Sequence, residues 1–166
     1  GMLLSEIPSK VHVIEGTPFF NTVDEALNDL IRRREFSHVM GKLRLLTYMK
    51  TGLIKKKIVK ERKKILSKKY DIEVAAKEGF CTIFTAYGDS AKKINWILTD
   101  YSVCNYSKNH MPLVKEALKH IDLNIADSRH AMEAYKEGFG VDNGMAIHNL
   151  MDTERVKNGM KADDGA

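Results

Sequence analysis

The chain has 166 residues, of which 43% are hydrophobic and 30% charged, with a formal net charge of +5. That balance excludes a disordered or fibrous chain. It is long enough for one domain with a real core, and no apolar run approaches the roughly 18–20 residues of a membrane-spanning helix. The charge is unevenly spread: nine of the fifteen residues from Lys55 to Lys69 are lysine or arginine and only Glu61 opposes them, whereas the rest of the chain holds 18 basic and 21 acidic groups. The whole positive excess therefore sits in one short stretch, a physical reason to attract a polyanion.

In chain order, residues 2–20 differ from the rest of the chain. Lys10–Ile14 is short and β-branched, between Pro8-Ser9 and Gly16-Thr17-Pro18, and is expected to be a strand or extended arm. The start lacks a basic n-region and a long apolar stretch, so it is not read as a secretory signal. Thr22 and Glu25 have the spacing of a capping box that opens a first helix, expected over about 22–51 and stopped by Gly52. Its two apolar sets, Val23–Ile31 and Phe36–Leu46, lie about 170° apart on a helical wheel, which calls for a bend, a break or a change of partner near Arg32–Arg34.

A second helix, about 53–77, carries the basic block. Ile54, Ile58 and Ile65 fall within about 40° of one another, while Lys56, Lys57, Lys60, Lys63, Lys64 and Lys68 take the opposite face. A third helix, about 80–106, is expected from Phe80, Phe84, Tyr87, Ala91, Ile94, Leu98 and Tyr101 at alternating spacings of four and three. Gly88 in its middle implies a close crossing or a kink. Pro112 opens a fourth helix with Val114, Leu118, Ile121, Ile125, Ser128, Met132 and Tyr135 as its stripe, closed by Gly138 and Gly140. A short helix near 145–157 and a frayed tail over 158–166 complete the reading. The expected fold is thus all-α: a four-helix bundle of up-down type, with an N-terminal extended arm and a short C-terminal helix. Its broad look is that of small bundles such as the ferritin-like and cobalamin adenosyltransferase-like groups. No motif ties the chain to either, so the likeness implies no function.

Each chemical candidate has a plainer counterpart. The six lysines suit a polyanion, either nucleic acid or an acidic protein, but sequence readout would require Arg, Asn or Gln. Their plainer role is a solvated helix face. Glu35-Phe-Ser-His38 and Asp127-Ser-Arg-His130 repeat the i, i+3 pattern of di-metal bundles. Helical phase turns His38, Asp127 and His130 away from the core, so no metal and no cofactor are expected. Gly138–Gly144 has the wrong spacing and no preceding strand for a dinucleotide loop. Cys81 and Cys104, about 34 Å apart on one helix, cannot form a disulfide, which points to a reducing, cytoplasmic setting. The aromatic group Phe80, Phe84, Tyr87, Trp96 and Tyr101 lines either a pocket between helices or simply the core. The functional expectation is a non-catalytic binding or assembly protein, homo-oligomeric, with the lysine face as its contact surface. The alternative is an enzyme or ligand-binding bundle with its site between helices.

Overall fold

A computed structural model describes residues 7–23, 25–101 and 110–148. After a 3-10 turn at Pro18–Phe20, its elements are α1 (Leu27–Arg32), α2 (Phe36–Lys50), α3 (Ile54–Ile65), β1 (Ile72–Ala75), α4 (Phe80–Ala86), β2 (Lys92–Ile97), α5 (His110–Leu118), β3 (Leu123–Ala126), α6 (Arg129–Phe139) and β4 (Gly144–Ala146). The four strands form one parallel sheet in the order β1-β2-β3-β4. The fold is therefore α/β, and the all-α four-helix bundle expected from the sequence is wrong.

Each expected helix from the basic block onward hides a strand. The helix expected over 53–77 ends at Ile65 and is followed by β1, that over 80–106 contains α4 and then β2, and the fourth divides into α5, β3 and α6. Met145, read as the start of a short helix, lies in β4; residues 149–166 lie outside the described residues, as do Cys104 and the rest of 102–109. The first helix also breaks. Arg34 adopts a left-handed φ of 59° between α1 and α2, which resolves the two opposed apolar sets into two helices. Thr22 is not a helix cap; α1 begins after Ala26 with no side-chain cap. Lys10–Ile14 forms no strand. Two stop signals act as expected: Gly52 takes φ 72° just past α2, and Gly140 caps α6 in the left-handed region. Ser128, counted in the apolar stripe of the fourth helix, instead caps the start of α6 by accepting from the Ala131 N–H at 3.1 Å.

Consecutive strand order with right-handed crossovers puts the connecting helices on one face of the sheet. The side chains agree: Asn95 of β2 is reached by Thr82 of α4 and by Tyr135 of α6. Between sheet and helices lies a core of Leu45, Ile54, Ile58, Ile83, Ile97, Val114, Leu118, Met132, Tyr135 and Phe139. At its centre is a polar network. Thr82 Oγ1 donates to Asn95 Oδ1 at 2.7 Å, and Asn95 Nδ2 donates to Asn124 Oδ1 at 3.0 Å and to Tyr135 Oη at 3.1 Å. Asn124 Nδ2 continues to Asn143 Oδ1 at 2.9 Å, and Asn143 Nδ2 donates to the Ile121 and Asp122 carbonyls. Asn95 and Asn124 are both 0% exposed and stand opposite each other in register.

The other face of the sheet carries the alternate residues: Ile72, Val74, Ile94, Trp96, Leu123, Ile125 and Met145, with Leu98 and Ile147 just beyond the strands. Several of these are exposed, Ile72 at 57% and Met145 at 48%. Parallel sheets ordinarily keep both faces covered; here Ile125 is buried and Ile94, Trp96 and Leu123 are half-buried, so the face is only partly open to water. The aromatic group expected between helices is dispersed across the fold. Phe80 and Phe84 pack on Phe20, Tyr101 packs on Tyr135 and Phe139, and Trp96 is on the opposite side of the sheet.

Removing the hub of the amide network takes a hydrogen bond from each of three buried groups. Asn95→Ala is expected to lower unfolding free energy by about 3 kcal/mol, measured by urea denaturation. A loss below about 1 kcal/mol would show that the network does not hold the sheet to its helices.

Candidate functional site: a basic helix anchored by buried charges

The amphipathic pattern that marked α3 is real, but its inner face is not purely apolar. Ile54 and Ile58 are buried, and so are Glu61 and Arg62, at 1% and 5% exposed. Burying a charge is expensive unless it is paired and hydrogen-bonded, and both are. Arg62 Nη2 donates to Glu73 of β1 at 2.6 Å, its Nη1 donates to the Phe84 carbonyl at 3.1 Å, and its guanidinium lies 4.6 Å from the centre of the Phe84 ring. This planar fork ties α3 to the first strand and to α4 together. Gly88 belongs to the same arrangement. A Cβ there would lie 2.6 Å from both Arg62 Nη2 and Glu73 Oε2, so the glycine serves close packing against an ion pair rather than a helix crossing.

Glu61 faces a cleft between α2, α3 and residues 17–22. Lys57 Nζ donates to its Oε1 at 2.6 Å, and Lys64 Nζ donates to Oε1 and Oε2 at 2.8 and 3.0 Å. Burial by itself would raise the Glu61 carboxyl, but the hydrogen bonds from the two lysines outweigh it and hold the pKa at about 2 instead of 4.5. Lys57 also sits 4.7 Å from the centre of the Phe19 ring.

These anchors divide the six predicted lysines into two groups. Lys57 and Lys64 are committed to Glu61. Lys56, Lys60 and Lys63 are exposed at i, i+4 and i+7 and make no ion pair with any described residue. Lys68 is exposed in the connection that leads from α3 to β1. Lys55, outside the predicted six, lies over the Tyr87 ring at 5.1 Å. The lysine surface is therefore one contiguous band: its inner edge is pinned at the cleft and its outer edge is open to solvent. Arg62, Lys63 and Lys64 in the last turn also complement the carboxyl end of the helix dipole.

The two His-containing pairs of the sequence go to different places. Glu35 and His38 meet at the α1–α2 elbow, with His38 Nδ1 2.8 Å from Glu35 Oε2. Glu25 joins them so that one ligand atom of each lies within 4.8 Å of the others. Arg33 fills the electrostatic role of a cation there: it donates to Glu25 at 3.0 Å and lies 3.4 Å from Glu35. His130, at the start of α6, pairs not with Asp127 but with Asp100 after β2, at 3.1 Å.

That pair lies at the carboxyl edge of the sheet, where open α/β sheets hold their ligands. Glu78 is nearby: it is 6% exposed, takes the Leu98 N–H at 3.0 Å and accepts from the Thr99 hydroxyl. Both oxygens of Glu78 are thus used to brace the loop after β2, and His130 is 74% exposed at its side chain. Helical periodicity had separated these residues along supposed helices. The signal that could have joined them is the repeat of Ile94-Asn-Trp-Ile-Leu-Thr-Asp100 in Leu123-Asn-Ile-Ala-Asp127, two strands of the same polarity with an acid after each.

No helix among the described residues is long and apolar enough to cross a membrane. No protein-family model, curated protein or solved structure matches this chain.

The Glu61 triad has a pH signature. Its folded pKa lies below the unfolded value, so the stabilisation is complete above pH 4.5 and is lost as the pH falls from there toward about 2. Because Lys64 is half exposed and screened, the loss is about 2 kcal/mol. Comparing urea unfolding of wild type and Glu61→Gln across that range checks it: the variant is expected to lack this component of the acid destabilisation.

Proposed function

We propose that the protein is a non-catalytic binding or assembly protein whose α3 surface holds the phosphate backbone of a nucleic acid. The observation that carries this reading is the row Lys56, Lys60 and Lys63: three exposed ammonium groups on adjacent turns, with no acidic partner among the described residues. Lys68 lengthens the row beyond the helix. Each lysine that neutralises a phosphate releases a condensed counterion, so affinity falls steeply with salt. Among the described residues, α3 presents no arginine or amide to base edges and no exposed aromatic between its lysines, so binding is independent of sequence. The reading places the protein in a reducing, cytoplasmic compartment, since exposed Cys81 persists best there.

Fluorescence anisotropy with a duplex oligonucleotide tests it. Binding is expected near ~20 mM salt and to be largely lost by about 200 mM. Replacing Lys56, Lys60 and Lys63 together by glutamine is expected to lower the salt slope by about three. Absence of binding at low salt would sink the nucleic-acid reading, and salt-sensitive capture of an acidic protein in its stead would transfer the surface to that partner.

Homo-oligomerisation belongs to the same reading. Its support is the apolar second face of the sheet, with Ile72, Val74, Leu98, Met145 and Ile147 exposed, a surface of the kind that marks interaction sites. Sedimentation velocity over a hundredfold range of concentration measures it. A monomer throughout removes self-association from the proposal.

A further inference from the structure

We propose that the cleft behind the basic helix is a discrete site for one phosphate-bearing small molecule. It lies between α2, α3 and residues 17–22 and has a volume of about 560 Å³, within the range of small-molecule sites. It shares Lys57 and Lys64 with the basic face but does not use Lys56, Lys60 or Lys63, so it stands or falls separately from the nucleic-acid surface.

The polar part of the wall is built mostly of hydrogen-bond donors. Among the described residues Glu61 is the one acid facing the cleft, and its two oxygens are occupied by Lys57 and Lys64. The buried carboxylate therefore holds two ammonium groups close to a single point, and each ammonium keeps further protons to donate. Arg44 of α2 borders the same space with no ion-pair partner among the described residues. Three cations thus face one carboxylate, which leaves the cleft positive.

A second observation points to a ligand independently of charge. Thr22 lines the cleft, is 2% exposed, and its hydroxyl has no hydrogen-bond partner among the described residues. Buried hydroxyls are seldom left so, because the desolvation is uncompensated. The hydroxyl oxygen is sealed from solvent in this structure, so a ligand oxygen that opens this corner slightly would supply the missing partner. Gly41 of α2 faces the same corner, where a Cβ would stand in ordinary contact with the Thr22 side chain at 3.8–3.9 Å.

A phosphate monoester answers this set of groups better than a carboxylate does. It brings close to two negative charges and three terminal oxygens to an arginine, two lysines and a hydroxyl. The volume exceeds what a bare phosphate fills, and Phe19, Met40 and Tyr48 line the remainder. An apolar or ring-bearing body attached to the phosphate packs there.

The experiment uses the full chain and isothermal titration with adenosine 5′-monophosphate, inorganic phosphate and adenosine as probes. The monophosphate and phosphate are expected to bind, and adenosine is not. Arg44→Gln is expected to weaken the monophosphate about tenfold or more, and Thr22→Val to weaken it without lowering the melting temperature, since that hydroxyl has no protein partner to lose. The Lys56, Lys60 and Lys63 triple glutamine variant is expected to bind the monophosphate as wild type does even where it loses duplex binding. Competition by a 5′-phosphorylated oligonucleotide, but not by its 5′-hydroxyl form, would identify a strand end as the source of the phosphate; absence of competition would identify a free small molecule. Equal binding of adenosine and its monophosphate, or unchanged affinity in a folded Arg44→Gln protein, would overturn the proposal.

Discussion

Two asparagines in the middle of a sheet hold this molecule to one arrangement. Asn95 and Asn124 are wholly buried and bonded to each other across β2 and β3. Thr82 extends the bond to α4, Tyr135 to α6, and Asn143 to the loop before β4. Apolar packing is tolerant of small shifts, but a buried amide is not, because each unmet donor or acceptor costs its full desolvation. The network therefore fixes register: a slip of one residue in β2 or in β3 would turn that strand's amide to the apolar side of the sheet and part the pair. The carboxyl edge inherits this order, since Glu78 braces Leu98 and Thr99 immediately after β2.

A second set of buried polar contacts attaches the basic helix to that frame. Arg62 bridges α3 to β1 through Glu73 and to α4 through the Phe84 carbonyl. Glu61 draws Lys57 and Lys64 inward on the neighbouring face. Both are consequences of one sequence feature, the Glu61-Arg62 step within a run of lysines. It reverses the usual expectation that charge on an amphipathic helix faces only water. What remains outside is a smaller and more regular surface than composition implies, and what is drawn inward builds the donor-rich wall of a cleft. The nucleic-acid surface and the phosphate cleft both arise from this division of a single basic segment.

Helical phase misled the reading of the second half of the chain for a definite reason. The strands are short, three to six residues, and their inward positions include asparagines, so the apolar alternation of a strand is interrupted where it should be clearest. Ile94 and Leu98 point away from the helices, whereas Ile97 points toward them. Read as a helix, all three join one stripe. Parallel strands between helices also place apolar residues at intervals that a four/three count absorbs without conflict. Conversely, α3 was legible because an isoleucine face opposes lysines over three turns. The two opposed apolar faces marked Arg32–Arg34 as a discontinuity, but the long helix expected across it is two helices.

Local chemistry settled the amphipathic α3, the stops at Gly52 and Gly140, the concentration of charge between Lys55 and Lys69, and the absence of a long apolar span. These depend on neighbours within a turn or two of the chain, which a sequence displays directly. The tertiary structure alone decided that the chain forms a parallel sheet, that Asn95 meets Asn124 and Tyr135, that Arg62 meets Glu73 and excludes a side chain at Gly88, and that Thr22, Arg44 and Glu61 share one cleft. Each of these contacts joins residues far apart in the chain, from 11 positions for Arg62 and Glu73 to 40 for Asn95 and Tyr135. A buried charge or amide looks the same in sequence as an exposed one. Only the partner that the fold brings to it determines whether it is a solvated surface group, a structural anchor or part of a binding site.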